Sequence, residues 1–209
     1  MKNLVKVLLF LILLAPGLYG QDVEQQSEST DMSEQETAAE SISYSEKIYK
    51  KIEENLKSKD WKVRKSAVVS VPDANVENKI DLIRIVLTND KKDEIRIAAI
   101  KALIKIGGAE VISPLTEALK DDKEYIRSTA LGGLIKIGEE AADSIGSALN
   151  DSDEDIRKTA VEAIEVMKKN IALKYLDVAL SDLSASIRER AINKIYDIYR
   201  STPGGFNGP

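Results

Sequence analysis

Five arginines recur along the chain at nearly constant spacing and could together bind a polyanion. Each follows a β-branched residue, and the steps between them are 32, 31, 30 and 31 residues. They are Arg64, Arg96, Arg127, Arg157 and Arg188. A guanidinium carries five N–H donors in a planar fork that fits phosphate or carboxylate groups. Such a row indicates either an anion-binding strip or a structural ion-pair ladder.

Aspartates at a fixed distance before these arginines favour the structural alternative. They stand six residues earlier in four of the five cases, as Asp90, Asp121, Asp151 and Asp182. An arginine in the first turn of a helix opposes the helix dipole, and a nearby carboxylate compensates for that cost. We therefore predict that these arginines and aspartates form a structural ladder along the loops between repeats.

Catalytic chemistry is restricted by two missing residue types. The sequence has no His and no Cys, which removes the Ser-His-Asp and Cys-His nucleophile systems and the usual zinc ligands. Acidic residues cluster at 151–155, but that segment lacks the Gly and the distal Glu of an EF-hand calcium loop. Gly132 and Gly133 lie inside a helical stripe, where they favour close helix packing over phosphate binding. We predict a protein that is not an enzyme, with no catalytic, metal or cofactor site.

Apolar residues keep a fixed register with each arginine and predict the helices that carry them. Alanine stands three residues after every arginine, and an aliphatic residue stands seven after it. With the positions one before and ten after, these residues fall on one face of a helix. A second apolar stripe follows about 16 to 23 residues after the arginine, and Gly107, Gly108 and Gly138 indicate turns between the stripes. Each unit is therefore predicted to be two antiparallel helices of about three turns.

The repeat also predicts how the helix pairs assemble. A single pair cannot bury both of its stripes, so neighbouring pairs must stack around a continuous core. A helix near residues 44–57, with Ser45 as its N-cap, precedes the first unit, and the last unit has only its first helix, near residues 185–199. We predict an all-α fold, a right-handed α-α superhelix with about ten helices in five repeat units.

The repeat pattern resembles HEAT repeats of the short bacterial type named after phycobilisome lyases. The resemblance rests on Val or Ile before Arg, Ala three residues later, an aliphatic residue four further on and a glycine at the helix end. It covers about residues 60–200, and the segment LIKIG at 103–107 and 134–138 preserves it best. In the first unit Val71-Pro72-Asp73 replaces the glycine ending, which indicates a bent or shortened helix end. The resemblance implies a protein-binding scaffold, with bilin-lyase-like ligand handling as an alternative.

The two ends of the chain differ in composition from the repeats. Residues 1–20 have a basic start, an apolar run and a Pro-Gly break, which is typical of a signal peptide. Residues 21–43 carry seven acidic residues and no Lys or Arg, which predicts an acidic disordered linker. Residues 44–200 are the predicted repeat domain and residues 201–209 a flexible tail. The sequence therefore predicts export, to the periplasm or outside the cell.

The second helices of the units supply the expected binding surface, because stacked helix pairs form an extended concave face there. The candidate residues are Asp81, Arg84, Thr116, Glu117, Lys120, Ser147, Lys174 and Asp177. Residues 44–209 have no net charge, and hence no net attraction for nucleic acid or an anionic membrane. We predict another protein as the partner and no membrane insertion of the processed chain. Self-association through the C-terminal helix, as in a structural protein, is the alternative.

Overall fold

The computed structural model describes residues 43–201 of the 209-residue chain. The predicted signal peptide at 1–20, the predicted linker up to residue 42 and the predicted tail from residue 202 onward lie outside the described residues. Within this part of the chain, residues 45–201 lie in one compact unit.

The described residues fold into ten α-helices, with no strand among them. In chain order the helices are α1 (43–56), α2 (Trp61–Ser70), α3 (Lys79–Asn89), α4 (Asp93–Ile106), α5 (Ile112–Ala118), α6 (Glu124–Ile137), α7 (Ala142–Ser147), α8 (Glu154–Glu165), α9 (Lys169–Ala179) and α10 (Ala185–Arg200). This arrangement confirms the predicted all-α superhelical repeat fold.

Two kinds of helix alternate along the chain. The first helices, α2, α4, α6, α8 and α10, each carry one of the five arginines, and the second helices are α1, α3, α5, α7 and α9. Each first helix contacts the next first helix along the chain. The second helices α5, α7 and α9 contact the first helices on both sides of them. The units therefore stack in sequence order around shared contacts.

Local sequence signals set several helix boundaries. The Asp60 carboxylate accepts a 2.8 Å hydrogen bond from the backbone N–H of Lys62 at the start of α2. Gly107 and Gly138 follow α4 and α6 at φ of 68° and 88°, a region that glycine enters without steric cost. One predicted boundary is wrong: residues 43 and 44 are already helical, so Ser45 lies within α1 and does not cap it.

Helix lengths depart from the predicted three turns in two units. Helices α5 and α7 contain only seven and six residues, and a 3-10 helix precedes each of them. In the first unit the 3-10 helix Val71–Asp73 follows α2 directly, as the missing glycine predicted. The tighter 3-10 turns take up chain that would otherwise extend the α-helices.

The core is built almost entirely from aliphatic side chains at the repeat positions. The largest fully buried side chains are Ile83, Ile95, Ile100, Leu103, Leu115, Ile126, Leu131, Leu134, Ile145, Ile156, Ile164 and Leu176. The alanine three residues after each arginine is buried in all five units. A small side chain there lets neighbouring helices approach closely, and the larger aliphatic side chains fill the space on either side.

Glycine at two helical positions makes room for side chains from other helices. A Cβ at Gly133 would lie 2.9 Å from Cγ1 of Ile104, whereas a Cβ at Gly132 would meet nothing within 4 Å. The close-packing prediction is therefore right for Gly133 and wrong for Gly132. A Cβ at Gly146 would overlap the ring of Tyr175, so α7 and α9 meet where α7 has no side chain.

Candidate functional site

Each loop aspartate joins two consecutive first helices. The Asp151 carboxylate accepts hydrogen bonds of 2.8 Å from both Nε and Nη2 of Arg127, and the Asp151 carbonyl accepts a 3.0 Å bond from Nη1 of Arg157. The same arrangement is found at Asp90, Asp121 and Asp182. One aspartate, held between two guanidinium groups, therefore closes each junction between repeats.

The carboxylate that faces each of the first four arginines is not the one that the six-residue spacing suggests. The aspartate six residues before the arginine supplies its backbone carbonyl. The carboxylate comes from the next loop, 24 to 26 residues after the arginine. The arginine side chain spans the junction to the following repeat, so its bidentate carboxylate partner belongs to the next unit. At Arg96 the carboxylate of Asp93, on the same helix, also lies 3.1 Å from Nη2.

The loop aspartates also order the start of the following helix. Oδ1 of Asp90, Asp121 and Asp151 accepts a 2.9 Å hydrogen bond from the backbone N–H two residues later, and that of Asp182 accepts one of 2.7 Å. This is the Asx-turn geometry that aspartate favours in tight turns. Each carboxylate is thus fully engaged by the guanidinium and the loop backbone.

These ion pairs are largely buried, and their hydrogen bonds shift the protonation equilibria of the aspartates. The Arg127 and Asp151 side chains are 12% and 6% exposed. Burial raises the pKa of Asp90 and of Asp151, but the hydrogen bonds from arginine and the backbone outweigh it, and both pKa values lie below the ordinary value. The hydrogen bond from Arg157 lowers the pKa of Asp182. The charged forms are the stable ones in the folded protein.

The last arginine of the row differs from the other four. Arg188 donates to the carbonyls of Asp182 at 2.6 Å and Leu183 at 3.0 Å, and no carboxylate pairs with it among residues 43–201. Arg64, Arg96, Arg127 and Arg157 each have two donors on an aspartate. Guanidinium groups engaged in this way do not form an open anion-binding strip.

The second helices carry the other candidate residues, on a surface of mixed charge. The second-helix surface consists of the exposed residues Asp81 and Arg84 on α3, Glu117 on α5, Lys120 in the turn after α5, Asp143 and Ser147 on α7, and Lys174 and Asp177 on α9. Acidic and basic groups alternate over four successive units. The surface has no single sign of charge that would favour a polyanion or a polycation.

Contacts between neighbouring second helices hold parts of this surface in place. Nε of Arg84 on α3 donates a 2.9 Å hydrogen bond to Oε2 of Glu117 on α5, and Nη2 of Arg84 donates to Oε1. The two side chains are 45% and 41% exposed, so water competes with the pair and its net contribution to stability is small. Its effect is to fix the direction of two charged groups across two repeats.

Thr116 is less accessible than the sequence predicted. It is half-buried, and its hydroxyl lies 2.7 Å from both the Ile112 carbonyl and the Ser144 hydroxyl. Because Thr116 faces α7 and its hydroxyl is engaged there, it joins two second helices instead of facing a partner. We therefore remove Thr116 from the candidate binding residues.

A third link between second helices was missed from the sequence. Nζ of Lys174 on α9 lies 2.7 Å from Oδ1 of Asp143 on α7, and the Tyr175 hydroxyl donates to the same carboxylate oxygen. These contacts lower the pKa of Asp143, first through Lys174 and then through Tyr175. The signal that could have revealed this cluster is a polar pair separated by one repeat, since the partners are 31 and 32 residues apart.

The described helices contain neither a cluster of metal-binding side chains nor a membrane-spanning helix. Between residues 43 and 201 there is no group of three or more Asp, Glu, His or Cys side chains placed to bind a metal ion. In the acidic segment at 151–155, Asp151 is paired with Arg127, and Asp153 accepts from the Ile156 N–H as the N-cap of α8. Over the same residues, no helix has both the length and the apolar composition needed to cross a membrane.

The stacked helix pairs and the aspartate-arginine junctions define an α-solenoid repeat protein. The chain belongs to the HEAT-repeat family, because the family model described as HEAT repeats matches residues 49–135 and 115–195. No curated protein sequence matches the chain.

Two solved structures, of Cex1p and of a condensin subcomplex, show the same fold at low sequence identity, and a third is similar with a lower TM-score. Cex1p is 17% identical, with a TM-score of 0.55, over 71% of this chain and 35% of Cex1p. The S. pombe condensin Cnd3-Cnd2 subcomplex is 23% identical, with a TM-score of 0.51, over 72% of this chain and 21% of the matched chain. The complex of CpcE and CpcF of phycocyanin lyase from Nostoc sp. PCC7120 is 18% identical, with a TM-score of 0.49, over 72% and 64%. The chain thus spans less than two thirds of each of these matched chains, and the likeness concerns the fold alone.

Proposed function

We propose that this protein is a non-catalytic scaffold that binds another protein through its second-helix surface. The observation that carries the proposal is the row of exposed charged residues over α3, α5, α7 and α9, linked by the Arg84–Glu117 and Lys174–Asp143 contacts. Side chains already held in one direction lose less conformational entropy when a partner binds. The mixture of charges suits a polar protein surface of complementary pattern.

Export to the cell envelope is a second part of the proposal, and it rests on the composition of residues 1–20. A basic start, an apolar run and a Pro-Gly break are the features that export machinery recognises. Cell fractionation with mass spectrometry of the N-terminus tests it. An intact Met1 on cytoplasmic protein would overturn the proposed localisation without affecting the proposed binding surface.

A pull-down experiment tests the binding surface directly. The processed protein is immobilised and exposed to an envelope extract, beside a variant with Asp81→Lys and Asp177→Lys. We expect a protein captured by the wild type to be lost from this variant. The matched control is Glu94→Lys with Asp155→Lys, which makes the same change in net charge on exposed residues of the first helices. Equal capture by all three proteins would show that the second-helix surface is not the site.

Self-assembly is a second candidate function, favoured by the open face of the last helix. Ile192 and Tyr196 on α10 are 55% and 54% exposed. Large apolar side chains grouped on one helix face are typical of an interaction site.

A further inference from the structure

We infer that two copies of this chain pair through their α10 helices, antiparallel and related by a two-fold axis. The inference rests on the self-assembly proposed above and names its partner and geometry. It concerns a face apart from the second-helix surface. Its failure would therefore leave the proposed protein-binding role untouched.

Ile192 on α10 stands at a repeat position that is buried in every earlier unit. Four residues after the arginine, the first four units carry Val68, Ile100, Leu131 and Val161, all fully buried. The fifth unit carries Ile192 at this position, and it is 55% exposed. The fifth unit therefore has an aliphatic residue at this position, as the other units do, but no helix among residues 43–201 covers it.

Further apolar side chains extend this face into a groove. Tyr196 and Tyr199 are about half exposed, and with Leu180, Ile192 and Ile195 they line an open groove of about 380 Å³. Glu189, Ile192, Tyr196 and Tyr199 follow one another at steps of three or four residues and so lie on one stripe of α10.

The charges at the two ends of the stripe are self-complementary. Glu189 lies near its beginning and Arg200 at its end, and both are exposed. When two α10 helices lie antiparallel with their centres between residues 194 and 195, Glu189 of each copy faces Arg200 of the other. The same register places Ile192 beside Tyr196 of the other copy. A two-fold contact of this kind uses one patch twice.

At the other end of the array, exposed apolar side chains such as Tyr44 (67%) and Val69 (56%) stand among charged ones. The outer residues of α1 include the exposed Lys47, Lys50, Lys51 and Glu54, and Nζ of Lys51 lies 3.3 Å from Oε2 of Glu54. Head-to-tail stacking would place Ile192 and Tyr196 against these charged groups and remove the charges from water without a matching partner. Contact between two α10 faces buries apolar surface on both sides.

The expected contact is weak because it is only one helix wide. A helix of 16 residues is about 24 Å long, so the paired faces bury less than the roughly 800 Å² per partner of a standard interface. We expect the mass of the processed protein, measured by sedimentation equilibrium from about 1 to about 300 μM, to rise from monomer to dimer. A monomer throughout this range, or growth beyond the dimer, would overturn the inference.

Single substitutions test whether the exposed face of α10 forms the contact. We expect Ile192→Glu to weaken association at least tenfold, while Ile85→Glu, which makes the same change at a 60% exposed isoleucine on α3, leaves it unchanged. Equal effects of the two substitutions would overturn the α10 face as the site.

Charge substitutions at the ends of the stripe test the antiparallel pairing. Glu189→Lys alone and Arg200→Glu alone each place like charges opposite one another in a two-fold dimer and should weaken it. Mixing these two variants should restore association, because the lysine introduced at position 189 of one copy then faces the glutamate introduced at position 200 of the other. If Ile192→Glu abolishes association and mixing restores nothing, self-association stands and the antiparallel register is wrong.

Discussion

The guanidinium of Arg127 spans the junction between the third and fourth repeats and binds the Asp151 carboxylate with two hydrogen bonds of 2.8 Å. The carbonyl of the same aspartate accepts from Arg157, the arginine of the following repeat. Because every junction repeats this arrangement, the ladder fixes the spacing of the first helices. The second helices, which carry the candidate binding residues, are positioned by packing against them.

Removal of Arg127 should destabilise the fold. Arg127→Ala leaves the Asp151 carboxylate, which is 6% exposed, without its guanidinium. A buried charge without its partner is costly, and we expect a loss of about 3 kcal/mol in the free energy of unfolding. Arg188→Ala is the matched control, because Arg188 donates to carbonyls and leaves no buried carboxylate behind. It should lose only about 1 kcal/mol. Urea unfolding measures both, and equal losses would contradict a role for the carboxylate pair.

Acid should destabilise the protein through the same aspartates. The folded-state pKa values of Asp90, Asp151 and Asp182 lie below the ordinary 3.8. Their contribution to stability is therefore fully present above pH 3.8 and is lost as the pH falls through the folded-state values. We expect the free energy of unfolding to fall steeply below about pH 4. Asp151→Asn should make the fall shallower, because one fewer carboxylate takes up a proton on unfolding. A curve parallel to that of the wild type would contradict this account.

Two glycines offer a matched test of how closely the helices pack. Gly146→Ala places a methyl group into the ring of Tyr175, and we expect it to cost about 1 to 3 kcal/mol by overpacking. Gly132→Ala meets open space within α6, so the better helix propensity of alanine should stabilise the protein by up to about 1 kcal/mol. Thermal unfolding should shift in opposite directions for the two variants. Stabilisation by both variants would show that α7 and α9 are not in close contact at Gly146, and destabilisation by both would show that Gly132 does not face open space.

The sequence predicted the buried face of each helix and left open what lies opposite that face. Ile95 and Ile126 could be assigned to the core because their place in the repeat decides which face of the helix they occupy. The carboxylate partner of Arg127 could not be predicted from the sequence, because it depends on how far the next loop reaches across the stacked repeats. The half-buried position of Thr116 escaped prediction for the same reason: neighbouring α7 covers it.

A charge swap on the second helices tests whether a partner recognises the charge pattern or only the shape of the surface. Arg84→Glu combined with Glu117→Arg keeps an ion pair between α3 and α5 but reverses its direction. The two side chains are 45% and 41% exposed, so we expect the free energy of unfolding to change by less than about 1 kcal/mol. Capture of the partner in the pull-down experiment should nevertheless be lost, because complementary charges now face like charges, and like-charge contacts across an interface cost several kcal/mol. The two single substitutions are the controls for the swap. Each places like charges on the adjacent helices α3 and α5, so each should lower stability slightly and also reduce capture. Full capture by the swapped protein would mean that the partner binds elsewhere or does not recognise this pair, and the proposed surface would then have to exclude Arg84 and Glu117.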